Sequence, residues 1–545
     1  VEYTLIKRKP AITEYKNFNL RNAGQHGTSD RIQDAIMSRL AEDTHIDRMG
    51  YEPCIVYLNG VYWGHYGIRE KIDEHYVESN HGINSNQVDL LNWNGALAGS
   101  TDHFDQTYTI LQNTSVNDPD FVEVFSSRFD TDNYIDYFIF QTYIQNMDWL
   151  GIAWGLNNTK LWRPDTAGGK WRYVLYDTDA ALGHFGQNIY QNYLYLARNP
   201  STPNTHAAIF NRALNNNEFK CRFTNRYDDL INTTFQANNF NTTANELKGS
   251  IQNAIPDHIA NWSTQQMSPY SFTEWENAIN AIKQYNSARI ATARQHINGN
   301  LSLQGQKEVS LDTYPDNSGH VKMNSILPEL PWDGIYHGGC PVKAKAIPSN
   351  GFIFSHWYST AQTYNNVDTD SIEIALASNT TLIAHFDTCK NVINVAIDSE
   401  NKNLSASISE HVSGVSYRWL FNGTDVSSDS IIYNPLDGRY QLIIRFDSCE
   451  IESEVFIVEN RDYRIHLFPN PATQTLNVQF LIGQKEEVTV GIYNTAGQMV
   501  WKRSYTEFIG QYNASIDVST LARGFYVMRV KTPNKAYSEK LILID

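Results

Sequence analysis

The sequence has no Cys-x-x-Cys pair, no long apolar run and no excess of basic charge. The five cysteines, Cys54, Cys221, Cys340, Cys389 and Cys449, stand far apart, which excludes a zinc ribbon. No stretch reaches the roughly 18 apolar residues that a membrane-spanning helix needs. The net charge of −16 argues against sequence-independent nucleic-acid binding, which depends on a positive surface. Neither a GxGxxG nor a P-loop is present; Gly24 and Gly27 in AGQHG are too sparse to count as one. There is no signal peptide, but Val1 opens within the charged segment VEYTLIKRKP, which reads as a fragment or a processed product.

What is present suffices for several cores. The 545 residues suggest about three or four domains of ~150 residues each. Hydrophobic residues make up 41% and aromatic residues 12%, with tyrosine abundant. Cys389 and Cys449 flank one β-rich segment; either they are bridged, as an exported location permits, or all five cysteines are free thiols.

The first ~300 residues carry nearly all the helical signals. Within 28–44, Ile32, Ala35, Ile36 and Leu40 form one stripe, with Thr28, Ser29 or Asp30 available as N-cap. Asn133–Trp149 is apolar nearly all round and predicts a buried helix. Ser271–Gly299 predicts a long amphipathic helix stopped at Gly299. Asn59-Gly60 predicts a hairpin turn within Cys54–Asp73, because both residues tolerate positive φ. After residue ~300 short alternating runs replace helices, and turn residues punctuate them. The fold class is therefore multidomain: an α+β N-terminal domain, then three small all-β, sandwich-like modules. The expected boundaries are 1–304, 305–388, 389–460 and 461–545. In the third, a Trp strand and a Gly-x-Tyr strand leading to a Cys suggest an immunoglobulin-like module.

One segment raises a question of charge. WRYVLYDTDAALGHFG (171–186) reads as a strand ending in two carboxylates, Asp177 and Asp179. Like charges so close cost repulsion unless a cation or abundant water is near. A solvated turn or a helix N-cap would also accommodate them.

The first 300 residues resemble the CotH family of spore-coat-protein-H-like kinases. The resemblance rests on ITEYKNFNLRNAGQHG, LNGVYWGHYGIREKIDEHYV and NMDWLGIAWGLNNTKLWRPDTAGGKWRYVLYDTDAALG, in the family's order. FPNPATQTLNV, IYNTAGQMV, LARGFYVMRV and SEKLILID resemble the type IX secretion sorting domain of Bacteroidetes-type bacteria. PWDGIYHGGCPVKAKAIPSNGFIFSHW resembles β-repeat modules found beside such domains.

The first resemblance implies a kinase-like fold with Mg²⁺ and ATP as cofactors. Asp177 would then hold magnesium, with Asp179 as a second ligand or a supporting group. Asp148, in NMDW, would be the catalytic base or aligner for the accepting hydroxyl. Asn158, in NNTKLWR with Asn157 beside it, would be another metal ligand. Asp148 and Asn158 are ten residues apart, whereas the family, like ordinary kinases, has about five. The inserted LGIAW segment either bulges outward harmlessly or displaces Asn158. Glu70 and Lys71, in IREKID, match a recurrent family motif and are assigned to the cofactor side, with Glu70 as a positioning carboxylate. The family's phosphate-facing lysine is expected before Val1. Arg21 either pairs with an inner carboxylate or meets a phosphate. His26, His75, His81 and His184 lack metal-ligand spacing and read as surface histidines.

Two functions follow. The first is an exported kinase-like phosphotransferase acting on a protein or glycan acceptor. The second is a non-catalytic surface adhesion or carbohydrate-associated protein, with the β-modules as a stalk; scarcity of ATP outside cells favours it. A hydrolase using two carboxylates would need them roughly 5–9.5 Å apart. The implied partner of the C-terminal module is the type IX secretion machinery, and the implied location is secreted or cell-surface.

Overall fold

The computed structural model describes residues 2–361, 364, 367–389, 395–398, 403–408, 414–433, 435–446, 449–458 and 465–545. The N-terminal region is α+β. A three-stranded antiparallel sheet runs in the order Phe18–Arg21, Val61–Glu70, Tyr51–Leu58. Its hairpin turns at Asn59 and Gly60, with φ of 52° and 81°, as those residue types predict. A five-stranded sheet follows in the order Asp47–Arg48, Arg172–Leu175, Lys160–Pro164, Val88–Asn92, Gly95–Ala98.

Helices pack behind these sheets around one core, which extends from Ile32 to Leu301. The helix Gln33–Leu40 buries the predicted stripe, and Asp30 accepts from the Ile32 and Gln33 amides to cap its start. Thr131–Tyr143 has twelve of its residues buried, which explains why its sequence lacks a polar face. That helix ends at Tyr143, not Trp149: Gln145 takes a left-handed φ of 57° and breaks the repeat. The long helix Phe272–Leu301 starts where expected, with Ser271 accepting from the Glu274 amide. It passes Gly299 and stops at Ser302, in left-handed geometry. Buried Leu301 anchors the last turn, so the isolated glycine does not end it.

Three β-units follow, each with its own core. Strands between Gln306 and Thr388 form a four-stranded and a three-stranded sheet that face each other. The next unit also has two sheets, with Trp419 fully buried and Cys389 bonded to Cys449. The expected boundary at 460/461 lies outside the described residues. Residues 465–545 form one antiparallel sheet, in which the last strand, Ala536–Leu543, pairs with Gly524–Lys531.

A second disulfide, Cys221–Cys340, was not expected from the sequence. It joins helix Asn217–Asn232 of the N-terminal region to the first β-unit across 119 residues of chain. The contact is more than a tether. Asp228 meets Arg294 and the His337 ring, and Asp229 accepts from the Tyr336 hydroxyl and the Ser325 amide. Asn232 bonds both the amide and the carbonyl of Ile335. The first β-unit is therefore docked on the helices, not strung out as a stalk. Cys340→Ser is expected to cost about 2–4 kcal/mol of stability in non-reducing buffer and nothing after reduction, as read from denaturant midpoints.

Candidate active site

The turn that leaves the strand Arg172–Leu175 sets the site. Thr178 points inward, and its amide and hydroxyl both donate to Asp34. Asp177, with a left-handed φ of 53°, and Asp179 both line one cleft on the other side. The backbone after them is held from three directions. His26 Nε2 contacts the Asp179 carbonyl, Gln33 reaches the Thr178 and Ala181 carbonyls, and Gln187 reaches that of Ala180.

Asp148 enters the same cleft from a separate segment. It follows the buried helix after the break at Gln145. Asn157 Nδ2 donates to its Oδ1 at 2.7 Å, and Asn158 Nδ2 donates to its Oδ2 at 2.9 Å. The long Asp148–Asn158 spacing thus does not separate the two side chains. The inserted segment folds back: Trp149 and Leu150 enter the core, while Trp154 reaches the cleft wall half exposed. There it meets Phe185 edge to face, with ring centroids 5.1 Å apart.

Arg21 answers the question of the paired charges in part. One guanidinium nitrogen bridges Asp177 and Asp179, so the arginine pairs with inner carboxylates. One cation for three carboxylates leaves the cleft under-neutralised. Burial pushes the Asp177 carboxyl up to about 6; Asp179 and Asp34 add to this and Arg21 opposes it. Burial likewise raises Asp148, against the bonds from Asn157 and Asn158, and Asp179 adds to the rise.

The AGQHG turn belongs to the site after all. Gly24 has a φ of 56°, and a Cβ there would lie 2.5 Å from Asp179 Oδ2 and 2.6 Å from Arg21 Nη2. Only glycine allows this approach, through which the Gln25 amide donates to Asp179 at 3.1 Å. The doublet spacing failed to announce it because the turn serves a carboxylate and matches no nucleotide loop pattern. Lys160, which sequence reasoning did not single out, does not line the cleft but feels the charge of Asp177. Its ammonium lies over the Tyr176 ring, burial lowers its pKa, and the charges of Asp73 and Asp177 partly restore it. Its place in NNTKLWR, two residues after Asn158, was the available signal.

Left-handed backbone collects here. Ala23, Leu150, Asn158, Asp177 and Leu182 all have φ between 49° and 78°. Non-glycine residues avoid that region unless the surroundings fix them, and they recur at functional sites.

Glu70 and Lys71 do not line this cleft. Glu70 is buried and takes the Lys9 ammonium, the Gly50 amide and the Asn80 amide. Lys71 is half exposed beside Asp73. His26 is not a surface residue: it is 2% exposed and paired with Asp30. Among the described residues no group of three or more His, Cys, Asp or Glu is placed to hold a metal ion. Magnesium does not require one, since it usually takes one or two carboxylates plus substrate phosphates. Asp177 and Asp179 are hard oxygen donors, and Arg21 occupies one oxygen of each. The donor set fits that ion.

Comparison with known proteins bears on this arrangement. Residues 5–292, more than half of the chain, match the CotH kinase protein family. The chain belongs to that family. Membership of this kinase family implies the use of ATP. Residues 466–544 match the secretion system C-terminal sorting domain, so this CotH protein is marked for secretion or the cell surface. Residues 315–390 match the divergent InlB B-repeat domain. No curated protein matches the chain. Among solved structures, the BSP domain of a biofilm-associated protein is 12% identical over 45% of this chain and 67% of its own, with a TM-score of 0.14. A glycogen-degrading pneumococcal virulence factor, SpuA, is 8% identical over 44% of this chain and 30% of its own, with a TM-score of 0.12. A Klebsiella pneumoniae pullulanase is 10% identical over 44% and 33%, also at 0.12. At such scores no common fold is indicated. No helix among the described residues is long and apolar enough to cross a membrane.

Proposed function

We propose that this CotH protein is an exported phosphotransferase that moves the terminal phosphoryl group of Mg·ATP to a hydroxyl. One observation carries the reading: Asp148, from one segment, opens into the same cleft as Asp177 and Asp179, from another. Phosphoryl transfer asks a protein chiefly to position reactants and to neutralise charge. Asp177 and Asp179 would hold magnesium, with Asn158 contributing an oxygen; the ion would neutralise phosphate charge. Asp148 would accept or align the proton of the attacking hydroxyl. Burial raises its carboxyl, the direction that makes it a better proton acceptor than an ordinary aspartate. Asn157 and Asn158 hold it by one hydrogen bond to each oxygen, which fixes its orientation. Arg21 keeps the two metal-side carboxylates together before the ion arrives.

Calorimetric titration of the full chain with ATP tests the reading. Binding is expected only with magnesium present. An absence of binding at millimolar nucleotide would favour a non-catalytic adhesion role on the same fold.

The sorting domain has a separate role, in which the type IX machinery reads it as an address. Its core lies within the domain, apart from Leu481, which packs into the preceding β-unit, and it shares no side chain with the cleft. Removing residues 461–545 is expected to leave the protein in the periplasm, with the N-terminal region still folded. Cell fractionation and surface proteolysis check this; truncated protein at the surface would refute it.

A further inference from the structure

Behind the carboxylate cleft lies a second, much smaller cavity of about 10 Å³, room for a single water-sized occupant. Arg21, Arg31, Arg69, Asp34, Tyr51 and His65 contribute to its wall. Its charge balance is unusual. Asp34 is committed to Arg69 and to Thr178. Arg21 is committed to Asp177 and Asp179. Among the described residues Arg31, 4% exposed, donates to the carbonyls of Asn22, Gly27 and His65 and has no carboxylate within ion-pair distance. A buried charge without a partner is costly, so something should offset it.

The unpaired groups are mostly donors. Arg21 Nε, Arg31 Nε, Arg69 Nη1, the Tyr51 hydroxyl and both His65 ring nitrogens are buried without a protein partner. Arg69 is 4% exposed and His65 2%. Burial, with Arg31 adding, pushes His65 down to about 3, so its ring is neutral and offers one donor and one acceptor. The three guanidinium groups can only donate. Donors therefore outnumber acceptors well beyond what a water molecule, itself a donor of two protons, can satisfy. An occupant that only accepts, carries negative charge and is a single atom close to water in size satisfies all three conditions. Phosphate and carboxylates are too large for the space.

We propose that this cavity binds a monatomic anion, chloride or another halide, between Arg21, Arg31 and Arg69. The anion neutralises Arg31. It also braces Arg21 from behind, on the guanidinium whose other side bridges Asp177 and Asp179. The site would thus couple halide concentration to the order of the carboxylate cleft, and it stands whether or not the cleft transfers phosphate.

Thermal unfolding of the full chain tests it, in mixtures of sodium bromide and sodium gluconate at constant ionic strength. A saturable rise of about 2 °C in melting temperature is expected with bromide, matched by chloride and absent in gluconate. Arg31→Met should abolish the rise. Crystals of the wild-type chain grown in bromide should show an anomalous peak in this cavity, which decides the matter if Arg31→Met does not fold. Equal melting in bromide and gluconate, or an ordered water without anomalous signal, would overturn the proposal.

Discussion

Asp177→Asn is expected to abolish magnesium-dependent phosphoryl transfer while making the metal-free protein more stable at neutral pH. Asparagine keeps the shape of the side chain and tolerates the left-handed φ of 53° that Asp177 adopts, so the backbone should not move. It removes one of three crowded negative charges. A magnesium ion contributes several kcal/mol of charge stabilisation, so losing it should cost about 10³-fold or more in rate. The stability gain follows from the sign of the shift. The folded carboxyl lies near 6, above its ordinary 3.8, so the native state prefers it protonated. Its contribution is fully present below pH ~4 and is lost as the pH rises through ~6. The variant escapes that loss. Its advantage over wild type should be on the order of 1 kcal/mol at pH 7–8, allowing for partial exposure of the group, and should vanish near pH 4. Added magnesium should raise the melting temperature of wild type and leave the variant unchanged. Undiminished transfer in the variant, or a melting difference equal at pH 4 and pH 8, would remove Asp177 from the metal site.

Much of this site was legible because it lies on short-range patterns. Two carboxylates one residue apart at a strand's exit marked Asp177 and Asp179, and the apolar helix before Asp148 implied a buried support. The fold class followed similarly from the change from helical to two-residue periodicity near residue 300. Long-range partners were another matter. Nothing local tells that Arg21 crosses 156 residues to reach Asp177, or that Cys221 finds Cys340. Gly24 illustrates a further limit: a glycine required by a side chain elsewhere has no motif of its own. His26 was misplaced for a related reason. A histidine among polar neighbours looks solvated until the carbonyl it holds, that of Asp179, is known. The same blindness hid the docking of the first β-unit, because its ties to the helices come from residues scattered over positions 221–341.

That docking predicts the largest loss of stability. Asp228 is fully buried between Arg294, at 3% exposure, and His337, fully buried. Asp228→Ala would leave the Arg294 charge without its carboxylate in a dry interface. Breaking a buried pair this way costs about 3–5 kcal/mol, more than the pair itself contributes relative to apolar residues. The first thermal transition should therefore fall sharply, and the 302–305 connection should become susceptible to protease while Cys221–Cys340 still holds the units together. The double variant Asp228→Leu/Arg294→Met removes both charges and should recover much of the loss; the difference is a direct measure of their coupling. If Asp228→Ala melts like wild type, the interface is not held by this charge pair. The two-unit arrangement would then rest on the disulfide, the Asp229 bonds to Tyr336 and Ser325, and the Asn232–Ile335 hydrogen bonds, and reduction should weaken the hold of the helices on the β-unit.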